Sequence, residues 1–153
     1  MLKYVDILVG FSEVPNEISL CISISNCPCK CANCHSTYLA KDIGKELDLQ
    51  ALTTLIDKHK GITCVCIMGG DANPSEVDDI AQDIKEYYPE LTVAWYSGKQ
   101  ELSKDINLEF FDFIKLGPYI EELGPLNSKT TNQRFYKIEN NKLIDITYKF
   151  QKL

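Results

Sequence analysis

No stretch of this sequence comes near the roughly 20 consecutive apolar residues that a membrane span needs. The first ten residues, Met1 to Gly10, carry Lys3 and Asp6 and have no long apolar core of the signal-peptide kind. Together these absences point to a cytoplasmic protein with no membrane partner. Nor is there an excess of positive charge. The 16 basic and 22 acidic residues leave a net charge of −6, which argues against a nucleic-acid partner held on a basic face. Repeats, low-complexity tracts and linkers are also missing. The 153 residues, 44% apolar and 25% charged, are therefore read as one domain, 1–153, with a single core and an ordinary globular charge content.

Cysteine is the residue in surplus. The chain has seven, an odd number, and in a reducing compartment thiols stay free or bind metal. The cysteines are thus expected to be ligands or core residues, and a disulfide framework is the poorer reading.

Apolar periodicity outlines the chain. Ser19 to Ser25 alternates as a strand does, and a cysteine-rich loop follows from Asn26 to about Tyr38. Asp48 is placed to cap a helix whose stripe is Leu49, Leu52, Leu55 and Ile56, ended by Gly61. Ile62 to Met68 is continuously apolar or small, as in a parallel strand buried on both faces. It ends at Gly69-Gly70-Asp71. A second helix is predicted to start with Asn73 as cap, Pro74 in the first turn and Glu76 reaching back, with Val77, Ile80, Ala81 and Ile84 buried. Leu91 to Tyr96 and Phe111 to Leu116 read as strands, and Phe135–Ile138 and Leu143–Tyr148 as a hairpin around Asn140-Asn141. Alternating strands and helices predict an α/β fold with a mostly parallel sheet. In such folds sites gather at the carboxyl ends of strands. Those ends carry the cysteine loop, Gly69-Gly70-Asp71, Ser97-Gly98 and Gly117-Pro118.

In the loop, Cys27, Cys31 and Cys34 form C-x3-C-x2-C, followed directly by His35. Thiolates are soft anionic ligands suited to iron–sulfur clusters and to zinc. Two donor sets are compatible with these residues. Three thiolates can hold three corners of a four-iron cube and leave the fourth iron open to a chelating substrate. Alternatively, Cys27, Cys29, Cys31 and Cys34 can close a structural zinc site. Cys21, Cys64 and Cys66 lie in strands and read as small core residues.

The cysteine spacing, the ring after the third cysteine and the place just past a first strand resemble the radical-SAM superfamily. That resemblance implies a partial (β/α) barrel carrying a [4Fe-4S] cluster on Cys27, Cys31 and Cys34, with S-adenosylmethionine on the open iron. The implied activity is reductive cleavage of that cofactor to methionine and a 5′-deoxyadenosyl radical. Gly69, Gly70 and Asp71 take the place of the family's usual Gly-Gly-Glu and would hold the cofactor's methionine part. Asp here is shorter than the usual acid, and Pro74 comes three residues after Asp71 instead of next to it. His35 is implied to pack near the adenine, its alternative being a solvent-facing loop residue. Ser97 either hydrogen-bonds the cofactor or serves an ordinary strand-end turn. Lys115 is either a buried-rim cation near the cofactor or an exposed edge residue, the latter being the preferred reading.

Within the superfamily the cysteine loop, Trp95-Tyr96-Ser97-Gly98, and Asp112 through Tyr136 with Asn132-Gln133-Arg134 are similar to the activating proteins of anaerobic (class III) ribonucleotide reductases. This implies a glycyl-radical-activating oxidoreductase whose partners are the reductase large subunit and a flavodoxin or ferredoxin electron donor. No residue of the chain is assigned as acid or base. Asn132, Gln133 and Arg134 either help hold cofactor or partner, or form a polar loop before the hairpin. The competing functions are a radical-SAM enzyme acting on a small molecule or peptide, and a zinc-stabilised interaction module.

Overall fold

The computed structural model describes residues 1–25 and 41–151. Eight strands form one sheet: β1 (Lys3–Gly10), β2 (Ser19–Ile24), β3 (Lys45–Glu46), β4 (Cys64–Met68), β5 (Thr92–Tyr96), β6 (Phe113–Leu116), β7 (Arg134–Glu139) and β8 (Lys142–Asp145). Their spatial order is β3-β1-β2-β4-β5-β6-β7-β8. The four central strands, β2, β4, β5 and β6, run parallel. Two antiparallel strands flank them on either side.

Two α-helices occur among the described residues, α1 (Leu49–Lys58) and α2 (Pro74–Tyr87). In α1 the Asp48 carboxylate accepts the Ala51 N–H at 2.8 Å, as its sequence position predicted. In α2 the cap works differently. Asn73 makes no side-chain cap bond and instead accepts from the Ser75 hydroxyl at 2.8 Å. Glu76 does not reach back to it. Its carboxylate accepts the Leu2 N–H at 2.5 Å and lies 3.3 Å from the Met1 ammonium, tying the start of the chain to α2.

Period-two alternation gives the central sheet two different faces. Leu20, Ile22, Ile24, Val65, Ile67, Val93, Trp95 and Ile114 pack into the core that contains the buried sides of α1 and α2. The opposite face is built from smaller residues, Cys21, Cys64, Cys66 and Ala94, and is covered by Val14, Leu126, Phe135 and Ile146. The three buried cysteines are therefore sheet residues chosen for size, as the sequence reading held.

The expected partial (β/α) barrel with a mostly parallel sheet is corrected by this topology. Four of the seven strand pairings are antiparallel, and the sheet is mixed with few helices. The physical reason lies in the connections. Only the runs 49–58 and 74–87 carry a helical apolar stripe among the described crossovers. Between β5 and β6 the chain makes just a 3-10 turn, Leu108–Phe110. That segment is pinned to α2 by the buried Asp78, whose carboxylate accepts the Asn107 backbone and side-chain N–H groups, each at 2.7 Å. At the carboxyl end, Asn140 and Asn141 both have positive φ, 52° and 58°. This is the backbone of a tight hairpin, so the chain reverses and adds antiparallel strands.

No helix of the described residues is long and apolar enough to cross a membrane.

Candidate functional site

Parallel register brings the strand ends together. Ser23 lies opposite Met68, Met68 opposite Tyr96, and Tyr96 opposite Lys115. The segments that follow, Ser25, Gly69-Gly70-Asp71, Ser97-Gly98 and Gly117-Pro118, consequently share one rim. Cys27, Cys29, Cys31, Cys34 and His35 lie outside the described residues. Their segment begins at Ser25, which is buried and hydrogen-bonded through its N–H to the Lys3 carbonyl at 3.0 Å. The preceding residue, Ile24, sits against Gly69: a Cβ built on Gly69 would be 3.2 Å from the Ile24 carbonyl oxygen. The chain thus enters the cysteine segment directly beside the glycine turn.

That turn is held from several directions. The Trp95 indole N–H donates to the Gly69 carbonyl at 2.6 Å, and the Gly69 N–H donates to the Tyr96 carbonyl at 3.0 Å. Gly69 and Gly70 have φ of 105° and 94°, in the left-handed region that favours glycine. At Gly70 packing adds a second demand, because a Cβ there would meet the Val77 Cγ2 of α2 at 2.5 Å. Gly70→Ala is therefore expected to destabilise the fold by about 1–3 kcal/mol through backbone strain and overpacking. Urea denaturation measures this, and a loss below about 0.5 kcal/mol would mean that the turn relaxes freely.

Asp71 is buried, 9% exposed, and points along the rim. Its Oδ1 accepts the Ser97 hydroxyl at 2.5 Å and its Oδ2 accepts the Gly98 N–H at 2.8 Å. Ser97, 1% exposed, also accepts the Lys99 N–H at 3.1 Å. Its carbonyl accepts from the Lys115 ammonium at 3.1 Å, and that ammonium donates to the Gly117 carbonyl at 2.8 Å. The expectation that Lys115 is an exposed edge residue is overturned. It is 8% exposed and lies 5.8 Å over the Tyr96 ring. Strand alternation puts it on the sheet face that Phe135 and the loops cover, so its cation is turned inward and solvated by carbonyls.

A cleft of about 560 Å³ opens beside this network, lined among others by Asp71, Trp95, Ser97 and Lys99. Asn132 stands across the rim, its amide donating to the Gln100 side chain at 3.2 Å and the Pro118 carbonyl at 3.1 Å. Among the described residues its buried Oδ1 has no hydrogen-bond partner. Gln133 is buried, and Arg134 is half-buried and turned to Asp145 at 3.5 Å. Among the described residues, the side chain of Asn132 is the one in the Asn132-Gln133-Arg134 run with hydrogen bonds to the rim loops. Sequence reasoning missed the Tyr96 hydroxyl, which donates to the Glu13 carbonyl at 2.5 Å. No local pattern signals a contact between residues so far apart.

Beneath the rim, Cys21 faces Cys66 across β2 and β4. Both thiols are buried in the apolar cluster on that face, and among the described residues no group of three or more His, Cys, Asp or Glu is arranged to hold a metal. The hydrogen bond to Cys21, with burial, pushes the Cys66 thiol well up, while the same bond pulls Cys21 down. Burial pushes the Cys64 thiol up to about 11 from its usual 9.0. A raised thiol pKa means that the neutral form is favoured by folding. This contribution is complete below pH 9.0 and disappears as pH rises through about 11. Cys64 is accordingly expected to resist alkylation in the folded protein at pH 8 and to react once denaturant is added. Mass mapping checks this, and fast labelling of Cys64 in the native state would contradict the buried placement.

The donor chemistry of the rim is legible from its composition. The chain leads toward Cys27, Cys31 and Cys34, in C-x3-C-x2-C order, past half-buried Gly69 and buried Gly70, both of positive φ. Such a set suits a cubane cluster with one iron lacking a protein ligand. No curated protein and no solved structure matches the chain. Residues 18–139 match the protein family described as a 4Fe-4S single cluster domain. That match runs from β2 to the end of β7 and takes in the whole rim, so the chain belongs to this iron–sulfur family.

Proposed function

We propose that this iron–sulfur protein is a radical-SAM oxidoreductase that generates a glycyl radical on an anaerobic ribonucleotide reductase. The observation that carries the reading is the pairing, within a 4Fe-4S domain, of a three-thiolate loop with the Gly69-Gly70 turn at its entrance. In this reading Cys27, Cys31 and Cys34 hold the cluster, and when bound with S-adenosylmethionine it supplies one-electron cleavage of the sulfonium–C5′ bond. The chain's own residues bind and orient. Backbone groups at Gly69 and Gly70 receive the cofactor's methionine part, and His35 packs near its adenine. Ser97 shapes the adjoining turn, with its hydroxyl bonded to Asp71 and Lys99.

The glycyl-radical step is supported by the sequence similarity over Trp95-Tyr96-Ser97-Gly98 and Asp112 through Tyr136. A rim that opens on a cleft of about 560 Å³ suits a peptide loop of a partner. A flavodoxin or ferredoxin would deliver the electron.

The test is anaerobic reconstitution followed by iron and sulfide analysis and paramagnetic resonance of the reduced protein, with and without S-adenosylmethionine. About four irons per chain and a signal altered by the cofactor are expected. Zinc in place of iron, or a cluster indifferent to the cofactor, would overturn the radical-SAM reading. Addition of the reductase large subunit should then yield 5′-deoxyadenosine and a glycyl-radical doublet. Cofactor cleavage that depends on a small substrate alone would reject the reductase assignment.

A further inference from the structure

Asp71 stands where the resemblance to the radical-SAM superfamily implies a cofactor-binding acid, yet its carboxylate is directed at the protein. From the residues just after β5, Oδ1 accepts the Ser97 hydroxyl at 2.5 Å and Oδ2 the Gly98 N–H at 2.8 Å. From Ser97 the network continues through its carbonyl to the Lys115 ammonium, and from there to the Gly117 carbonyl. The carboxyl ends of β4, β5 and β6 are thereby laced together by one anion and one cation, both under a tenth exposed. Hydrogen bonds that involve a charged group are stronger than neutral ones, and in a buried site they hold geometry as well as energy.

We propose that Asp71 is a positioning residue, which sets the Gly69-Gly70 turn and the Ser97-Gly98 turn relative to each other so that backbone groups, not its own carboxylate, meet the cofactor. This rests on the radical-SAM reading above for the identity of the ligand, but not for the bracing itself. Chain geometry supplies the reason for the shorter acid. Asp71 follows Gly70 immediately, and α2 begins three residues later at Pro74. An aspartate reaches Ser97 and Gly98 from there with both oxygens. One more methylene would push the carboxylate past the N–H it now accepts.

The single tryptophan of the chain offers a readout that needs neither cluster nor turnover. Trp95 is 1% exposed and donates its indole N–H to the Gly69 carbonyl, so its emission reports whether the glycine turn keeps its place. The experiment compares the wild-type chain with Asp71→Asn, Ser97→Ala, the double variant and Asp71→Glu. Trp95 emission and iodide quenching are measured without cofactor. S-adenosylmethionine affinity is measured by equilibrium dialysis of the anaerobically reconstituted protein.

The brace predicts that Asp71→Asn and Ser97→Ala each increase quenching and each weaken cofactor affinity, by about tenfold for one charge-assisted hydrogen bond lost. The double variant should be no worse than the more affected single variant, because the two residues act as one unit. Asp71→Glu, although it restores the acid usual at this position, should also weaken affinity. The proposal is overturned if Ser97→Ala changes neither quantity while Asp71→Asn loses affinity, or if Asp71→Glu binds the cofactor as well as the wild type. Should the wild type itself bind no S-adenosylmethionine, the functional reading falls and the quenching data alone decide. Matched increases in the two single variants and the double variant support the brace, and independent, additive increases reject it. A variant that fails to fold, seen as a lost thermal transition, is replaced by Ser97→Thr, which keeps the hydroxyl and is expected to restore wild-type quenching.

Discussion

Alanine at Cys27, Cys31 or Cys34 is expected to lower the iron content of the reconstituted protein from about four atoms per chain to below one, with loss of the visible charge-transfer band. Cys29→Ala should leave both unchanged. The asymmetry follows from the ligand count. A cubane held by three protein thiolates has no spare ligand, so deleting one leaves a two-point attachment that does not survive handling. A closed zinc site would use Cys29 as its fourth donor and would respond to its removal as strongly as to any other. Iron and sulfide analysis of the four variants in parallel decides the matter. Retention of a full cluster after loss of Cys31, or its collapse after loss of Cys29, would show that the ligand set is drawn wrongly. Membership of the 4Fe-4S family makes iron the metal to load first.

The largest expected loss of stability falls on β7. Phe135 on β7 is fully buried, and its ring meets Phe150 at 4.9 Å, Phe113 at 5.9 Å and Tyr96 at 6.1 Å between centroids. It fills the space that the small residues Cys21, Cys66 and Ala94 leave on the face away from the helices. Phe135→Ala is expected to destabilise the protein by about 3–5 kcal/mol, combining lost transfer energy with a cavity that the rigid sheet cannot close. Each aromatic pair adds about 0.5–1.5 kcal/mol to what is lost. Urea unfolding followed by Trp95 emission measures the change. A loss under about 1.5 kcal/mol would mean that β7 and its neighbours collapse onto the vacated space. The same cluster holds the face on which Lys115 sits. Partial loss of the rim geometry is therefore expected to accompany the loss of stability, visible as greater quenching of Trp95 in the still-folded protein.

Much of the local structure was readable along the chain, and the reason differs from element to element. Asp48 and the stripe Leu49-Leu52-Leu55-Ile56 announce α1 because helix caps and helical periodicity are properties of neighbouring residues. The apolar run before Gly69 announces β4, since only a strand covered on both faces tolerates it. Asn140-Asn141 announces its hairpin through the positive φ that asparagine accepts. β1 escaped notice. It is an edge-side strand of mixed exposure, and its pairing with β2 and β3 is a matter of partners distant in the chain. The partial-barrel expectation misled for a similar reason. A helix between β5 and β6 would have continued the barrel pattern, but Asp78 of α2 captures Asn107 and leaves only a 3-10 turn.

The site divides along the same line. By itself the sequence narrowed the chemistry available to thiolate ligation of an iron–sulfur cluster or of zinc, because the cysteines of C-x3-C-x2-C are near neighbours whose spacing limits what they can bind. It also determined that Cys21, Cys64 and Cys66 belong to the core, through their place in apolar strands. Only the tertiary structure decided what Asp71 and Lys115 do. Their partners, Ser97, Gly98 and Gly117, are brought to them by strand register across β4, β5 and β6. Hydrogen bonds to a charge are set by distance in space, and separation along the chain carries no information about that distance until the sheet is formed.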